Sequence, residues 1–141
     1  MAAVNVYLNF MGNTEEAFNF YKSVFGGEFS VIQRFKDTPQ GVQMSPKEQQ
    51  MLMHVALPIG HGTVIMATDA LESMGHSLKP GNNFSIAITP DDMNEAKKIF
   101  NGLSAGGKVM VPLEKASWGD WFGMFIDKFG IQWMVNYNDK K

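Results

Sequence analysis

Between residues 4 and 10 apolar and polar positions alternate: Val4, Val6, Leu8 and Phe10 against Asn5, Tyr7 and Asn9. A period of two predicts a half-buried strand. Gly12-Asn13-Thr14 breaks it, and the period changes. Ala17, Phe18, Tyr21, Val24 and Phe25 recur at helical spacing. Asn13 or Thr14 is expected to cap this helix, with Glu15-Glu16 at the positive end of its dipole. Gly26-Gly27 stops it, and residues 28–35 read as a second strand. Residues 37–50 are polar, with two prolines and one glycine, and are expected to form a loop or a mobile flap. Residues 51–59 and 63–68 read as strands joined by Gly60-His61-Gly62, a tight hairpin signal. Residues 69–83, with Gly75, Pro80 and Gly81, read as a linker.

The pattern then restarts. Residues 83–89 read as a strand, and Pro90-Asp91-Asp92 as a helix start. Met93, Ala96, Ile99, Phe100 and Leu103 supply the apolar face, and Gly106-Gly107 the stop. Residues 108–113, 121–126 and 131–137 read as strands. The last two flank the turn 127–130, where Asp127 is expected to bond its own backbone. Strand, helix and three strands thus occur twice. A shift of 79 lays Glu16-Ala17 on Glu95-Ala96, Tyr21 on Phe100 and Gly27 on Gly106. A shift of 68 lays Gly62 on Gly130 and Met66 on Met134. A repeated βαβββ unit buries one sheet face under its own helix. The expected fold is α+β: two βαβββ modules forming an eight-stranded mixed-sheet cup, with helices packed outside. The modules span about 1–69 and 83–138 of a single domain.

Composition narrows the function. A chain of 141 residues suits one domain. It contains no cysteine, which excludes disulfides, thiol nucleophiles and Cys-based zinc sites. The net charge is −2 and the lysines are scattered, so nucleic acid is not an expected partner. The opening residues lack a signal-peptide pattern, and no apolar run approaches the ~20 residues of a membrane span. The expected location is therefore cytoplasmic, with no membrane partner. Eleven methionines and eleven phenylalanines serve either an adaptable core or a pliable apolar pocket.

Two motifs carry a family resemblance. The stretch Tyr7-Leu8-Asn9-Phe10, Glu16-Ala17-Phe18, Phe20-Tyr21 and Phe25-Gly26-Gly27 resembles the opening of PhnB-like proteins. Trp118-Gly119-Asp120, Phe125-Ile126-Asp127-Lys128-Phe129-Gly130 and Trp133 resembles their closing motif, with Lys128 where proline is usual. PhnB-like proteins belong to the vicinal-oxygen-chelate superfamily of glyoxalase I, extradiol dioxygenases and bleomycin-resistance proteins. The resemblance implies paired βαβββ modules and commonly a homodimer. In the metalloenzymes it implies a divalent ion held by His and Glu side chains from the first and last strands of each module. PhnB-like sequences often carry a methyltransferase label. Here the glycine pairs follow helices instead of opening them, which disfavours a nucleotide-type methyl donor.

Counting from the helix and hairpin motifs places the superfamily's metal positions at Val6, Met66, Ser85 and Met134. None offers a carboxylate or an imidazole, so no metal and no cofactor is expected. His54, mid-strand, is the candidate acid/base or hydrogen-bonding group, with a structural role as the competing reading. His61 lies in a turn and His76 in the linker. Asp69 either caps a turn or meets a ligand. Trp118, in a glycine-flanked loop, stacks on a flat ligand or packs in the core. The candidate ligand contacts are Val6, His54, Met66, Ser85, Trp118, Phe122 and Met134. The expected function is metal-free binding of a small apolar or aromatic molecule. The alternative is a metal-independent or atypical-metal lyase, isomerase or oxygenase using His54.

Overall fold

The computed structural model describes residues 2–139. The chain is α+β and divides into two compact units, Met1–Lys79 and Pro80–Lys141. Each carries one βαβββ module with a four-stranded mixed sheet.

The first module runs β1 (Val6–Phe10), α1 (Thr14–Phe25), β2 (Val31–Arg34), β3 (Leu52–Gly60) and β4 (Thr63–Asp69), in sheet order β1-β4-β3-β2. β1 and β4 are parallel, and the other neighbours are antiparallel. Buried residues alternate along the strands: Leu8 and Phe10, Ile65 and Ala67, Val55 and Leu57. α1 lies against β3 and β4 and buries Ala17, Phe18, Tyr21 and Val24. β3 and β4 turn through His61 and Gly62, both at positive φ (53° and 76°). That is the backbone a two-residue hairpin with right-handed twist requires.

Two expectations change here. The strand expected over 28–35 is shorter, because Phe35 turns into a 3₁₀ segment and buries its ring. Residues 37–50 are not a structureless loop. They contain a second 3₁₀ segment (Pro39–Gln43) and a short helix, α2 (Pro46–Gln49), capped by the Ser45 side chain accepting from Glu48 N–H. Arg34 anchors the segment. Its guanidinium pairs bidentately with Glu15 of α1, at 2.9 and 2.7 Å, and donates to the Gln50 carbonyl at 2.7 Å.

The second module runs β5 (Ile86–Ile88), α3 (Met93–Ser104), β6 (Lys108–Lys115), β7 (Trp121–Ile126) and β8 (Gln132–Tyr137), in sheet order β5-β8-β7-β6. Asp92 caps α3 by accepting from Glu95 N–H at 2.8 Å. The helix buries Ala96, Ile99, Phe100 and Leu103, and the sheet buries Phe125, Trp133 and Val135. α3 lies against the sheet. At Gly123 a Cβ would stand 2.5 Å from the Phe100 ring and 3.0 Å from the Leu113 backbone, so only glycine allows this approach.

Two buried carboxylates organise the modules. Asp69 accepts from Thr14 N–H (3.0 Å), Thr14 Oγ1 (2.6 Å) and Leu52 N–H (2.8 Å). It therefore supplies the cap of α1, a task that the Asn13 side chain does not perform. Asp127 accepts from Phe129 N–H, Ile131 N–H and Trp133 Nε1–H. Its structural role follows the turn chemistry expected of it, extended by the indole. Among the described residues no helix is long and apolar enough to cross a membrane.

Candidate functional site

Each sheet has one face covered by its helix, and the chemistry lies on the other. In the first module β1 alternates, so Leu8 and Phe10 point to the helix side and Tyr7 and Asn9 to the open side. The ladders extend this face. Tyr7 pairs with Met66, Met66 with Ala56, and Ala56 with Val31. Asn9 pairs with Thr68, and His54 with Gln33. Thr68 and His54 each lie one step beyond the paired Val55 and Ala67. Two rows result. One is Tyr7, Met66, Ala56 and Val31; the other is Asn9, Thr68, His54 and Gln33. Neither holds an Asp, Glu, Lys or Arg. The rows are joined by a side-chain contact: Tyr7 Oη lies 3.2 Å from His54 Nδ1, with the rings offset and near-parallel at 25°.

Val6, counted as a site residue, is not on this face. It pairs with Ile65 and alternates with Tyr7, which puts it on the helix side with Leu8 and Phe10. The error has a physical source. The helices correspond at a shift of 79 (Thr14 to Met93), but the strands correspond at 80, because Tyr7 pairs with Met66 and Ala87 with Met134. Counted from the paired strand residue, the helix starts seven positions on in the first module (Tyr7 to Thr14) and six in the second (Ala87 to Met93), and a one-residue slip reverses every side chain. Ser85 lies just before β5 (Ile86–Ile88), outside the ladder, and the residue paired with Met134 is Ala87.

In the second module Met134 pairs with Met124, and Phe122 with Asn136, on the face opposite the buried Phe125, Trp133 and Val135. Trp118 is 64% exposed, which removes the core reading. Its loop is closed by Ala116 N–H to the Asp120 carbonyl at 2.7 Å, and its ring meets Phe122 edge-on at 5.7 Å. The structure thus joins Trp118 with Phe122, and His54 with Tyr7, a contact partner that the sequence did not single out. Tyr7's signal was its place on the polar side of the β1 alternation. Of the other histidines, His61 sits in the hairpin turn, and His76 Nδ1 accepts from Leu71 N–H at 2.8 Å.

With the register taken from the ladders, the positions that correspond between the modules are Tyr7 and Met66 in one and Ala87 and Met134 in the other. A phenol, two thioethers and a methyl group do not fit a first-row divalent ion. Among the described residues no three or more His, Cys, Asp or Glu side chains are grouped to hold one.

Comparison with known proteins agrees with the two-module fold. The family model of 3-demethylubiquinone-9 3-methyltransferase matches residues 2–136. Protein YjdN of Escherichia coli is 30% identical over 138 residues, covering 92% of this chain and 91% of that one. The crystal structure of PA1353 from Pseudomonas aeruginosa aligns with a TM-score of 0.84 at 33% identity, covering 98% of both chains. The PhnB protein from Bacillus cereus aligns at 0.76 and 25% identity, covering 96% and 99%. A glyoxalase/bleomycin resistance protein/dioxygenase family enzyme from Burkholderia phytofirmans shares the fold, at 0.61 and 17% identity over 96% and 98% of the chains.

Proposed function

We propose, from the premise that this chain belongs to the 3-demethylubiquinone-9 3-methyltransferase family of PhnB-like proteins, that it is a metal-free binder of a small apolar or aromatic molecule. The observation that carries this reading is the make-up of the open sheet faces. The first module's face presents Tyr7 and Met66 with no charged residue in its rows, and the second module's face presents Met124, Met134 and Phe122, with Trp118 beside Phe122 and the charged Lys108 and Glu114 on its edge strand. Aromatic faces with sparse polar groups suit flat apolar ligands, and methionines re-pack around varied shapes. The metal-free part rests on donor chemistry, since no carboxylate or imidazole stands at the four corresponding positions. The family name is that of a methyltransferase, but the β1–α1 connection is Met11-Gly12-Asn13, without a glycine-rich cradle. The carboxylate of Asp69 already closes the start of α1. A single domain, a homodimer and a cytoplasmic location complete the reading.

A thermal-shift series with uncharged arenes tests it. A ligand at a hundred times its Kd adds about 2.7 kcal/mol, which raises the melting temperature by roughly 5–11 °C for a chain of this size. No shift with any uncharged arene, beside a shift with stoichiometric Zn²⁺, Ni²⁺ or Mn²⁺, would overturn it. One observation favours a second reading. The Tyr7–His54 contact orients an imidazole as an enzyme would. Turnover that survives chelation and is lost in His54→Ala would establish that reading.

A further inference from the structure

We infer that Tyr7 fixes the tautomer of His54, so that Nε2–H is a hydrogen-bond donor for a carbonyl-type acceptor on the bound molecule. This rests on the binder reading above and names the polar half of its ligand. Neutral imidazole has one donor nitrogen and one acceptor, and its neighbours decide which is which. His54 Nδ1 faces the Tyr7 hydroxyl at 3.2 Å. A phenol is a good donor, and its oxygen is a poor acceptor because the lone pair is delocalised into the ring. An imidazole nitrogen is a strong acceptor. The pairing therefore runs from Tyr7 O–H to Nδ1, and the proton of the neutral ring sits on Nε2. Among the described residues Nε2 has no hydrogen-bond partner. Asn9, Thr68 and Gln33 share its row and are uncharged, so a neutral ligand meets no competing ion pair on this face. The adjoining Tyr7, Met66, Ala56 and Val31 row receives an apolar body. The complementary molecule is flat and apolar, with an acceptor oxygen on one edge. His54 would then donate to that oxygen and polarise its carbonyl, instead of acting as a base.

Two measurements on the full chain test this. Long-range ¹H–¹⁵N correlation spectra of the imidazoles report the tautomer, with the His54 signals identified by their loss in His54→Gln. Wild type is expected to show the Nε2–H form, and Tyr7→Phe a mixture of both. Tyr7 is 47% exposed, so that variant keeps the fold. A wild-type Nδ1–H form overturns the inference. The second measurement compares acetophenone with ethylbenzene, similar in size but differing in the acceptor oxygen. Acetophenone is expected to bind roughly three- to tenfold tighter, as one net hydrogen bond allows. That preference is expected to vanish in His54→Phe. Equal affinity in wild type overturns the inference and leaves the binder reading standing. No binding of either compound also overturns the inference, and the thermal-shift series then decides the binder reading.

Discussion

Replacing Asp69 by alanine tests how the first module is held together. The carboxylate is 2% exposed and accepts from three donors on two elements, at 3.0, 2.6 and 2.8 Å. Alanine leaves two backbone N–H groups, Thr14 and Leu52, buried without an acceptor, and each costs about 1–3 kcal/mol. The Thr14 hydroxyl rotates to seek another partner, so it adds little. Losing the α1 cap is part of the same cost, because the Thr14 N–H is one of the helix's orphan donors. The sum is about 2–6 kcal/mol against a total stability of roughly 5–15. The melting temperature should fall by roughly 4–24 °C. Calorimetry and urea titration read the loss, and amide exchange at Leu52 and Thr14 localises it. Asp69→Asn keeps the shape and one acceptor oxygen, so it should cost about half as much. A loss under about 1 kcal/mol, with Leu52 exchange unchanged, would refute the assignment of Asp69 as the link between α1 and β3.

Two further predictions follow the same reasoning. Gly123→Ala should cost about 1–3 kcal/mol by overpacking, since the added carbon meets Phe100 at 2.5 Å; an unchanged melting temperature would show that α3 yields freely. At Glu15, the hydrogen bond from Arg34 holds the carboxyl below its ordinary 4.5, so its stabilising effect is present above that value and is lost as pH falls through the lower folded value. Glu15→Gln should therefore cost under about 1 kcal/mol at neutral pH and nothing near pH 2; wild-type and variant stabilities that differ equally at both pH values would refute it.

The modular fold was legible because its signals are local. Alternation marked β1, helical spacing marked α1 and α3, and the glycine-flanked turn marked the β3–β4 hairpin. Asp92 announced the cap of α3 because cap and helix are adjacent. The cap of α1 was not legible, since Asp69 lies 55 residues from Thr14 and no local pattern joins them. The same limit hid the order in residues 37–50, which depends on Arg34 reaching back to Glu15. His54, Met66, Phe122, Trp118 and Met134 were chosen from chemistry and repeat spacing, and the structure places them on open sheet faces or in an exposed loop. Val6 was misplaced because the count crossed a connection whose length differs between the modules. Tyr7 was missed because a tyrosine in a polar alternation reads as solvent-facing, and only the ladders show which strands it spans.

The two modules repeat the same order of elements but differ in what they offer a ligand. On the first, a histidine with a fixed neighbour stands in a row of uncharged polar side chains. On the second, the Met124–Met134 and Phe122–Asn136 pairs and the Trp118–Phe122 contact make a surface that is mostly thioether and aromatic. The helix-covered faces are alike, since Phe18 and Tyr21 in one unit, and Phe100 and Phe125 in the other, must exclude water for each sheet to hold. The open faces carry no such requirement, so their residues differ between the modules. On that basis, substitutions at His54 should change which functional group is accepted. Substitutions at Met124 or Met134 should change which sizes and shapes of apolar molecule the second module's own face accepts.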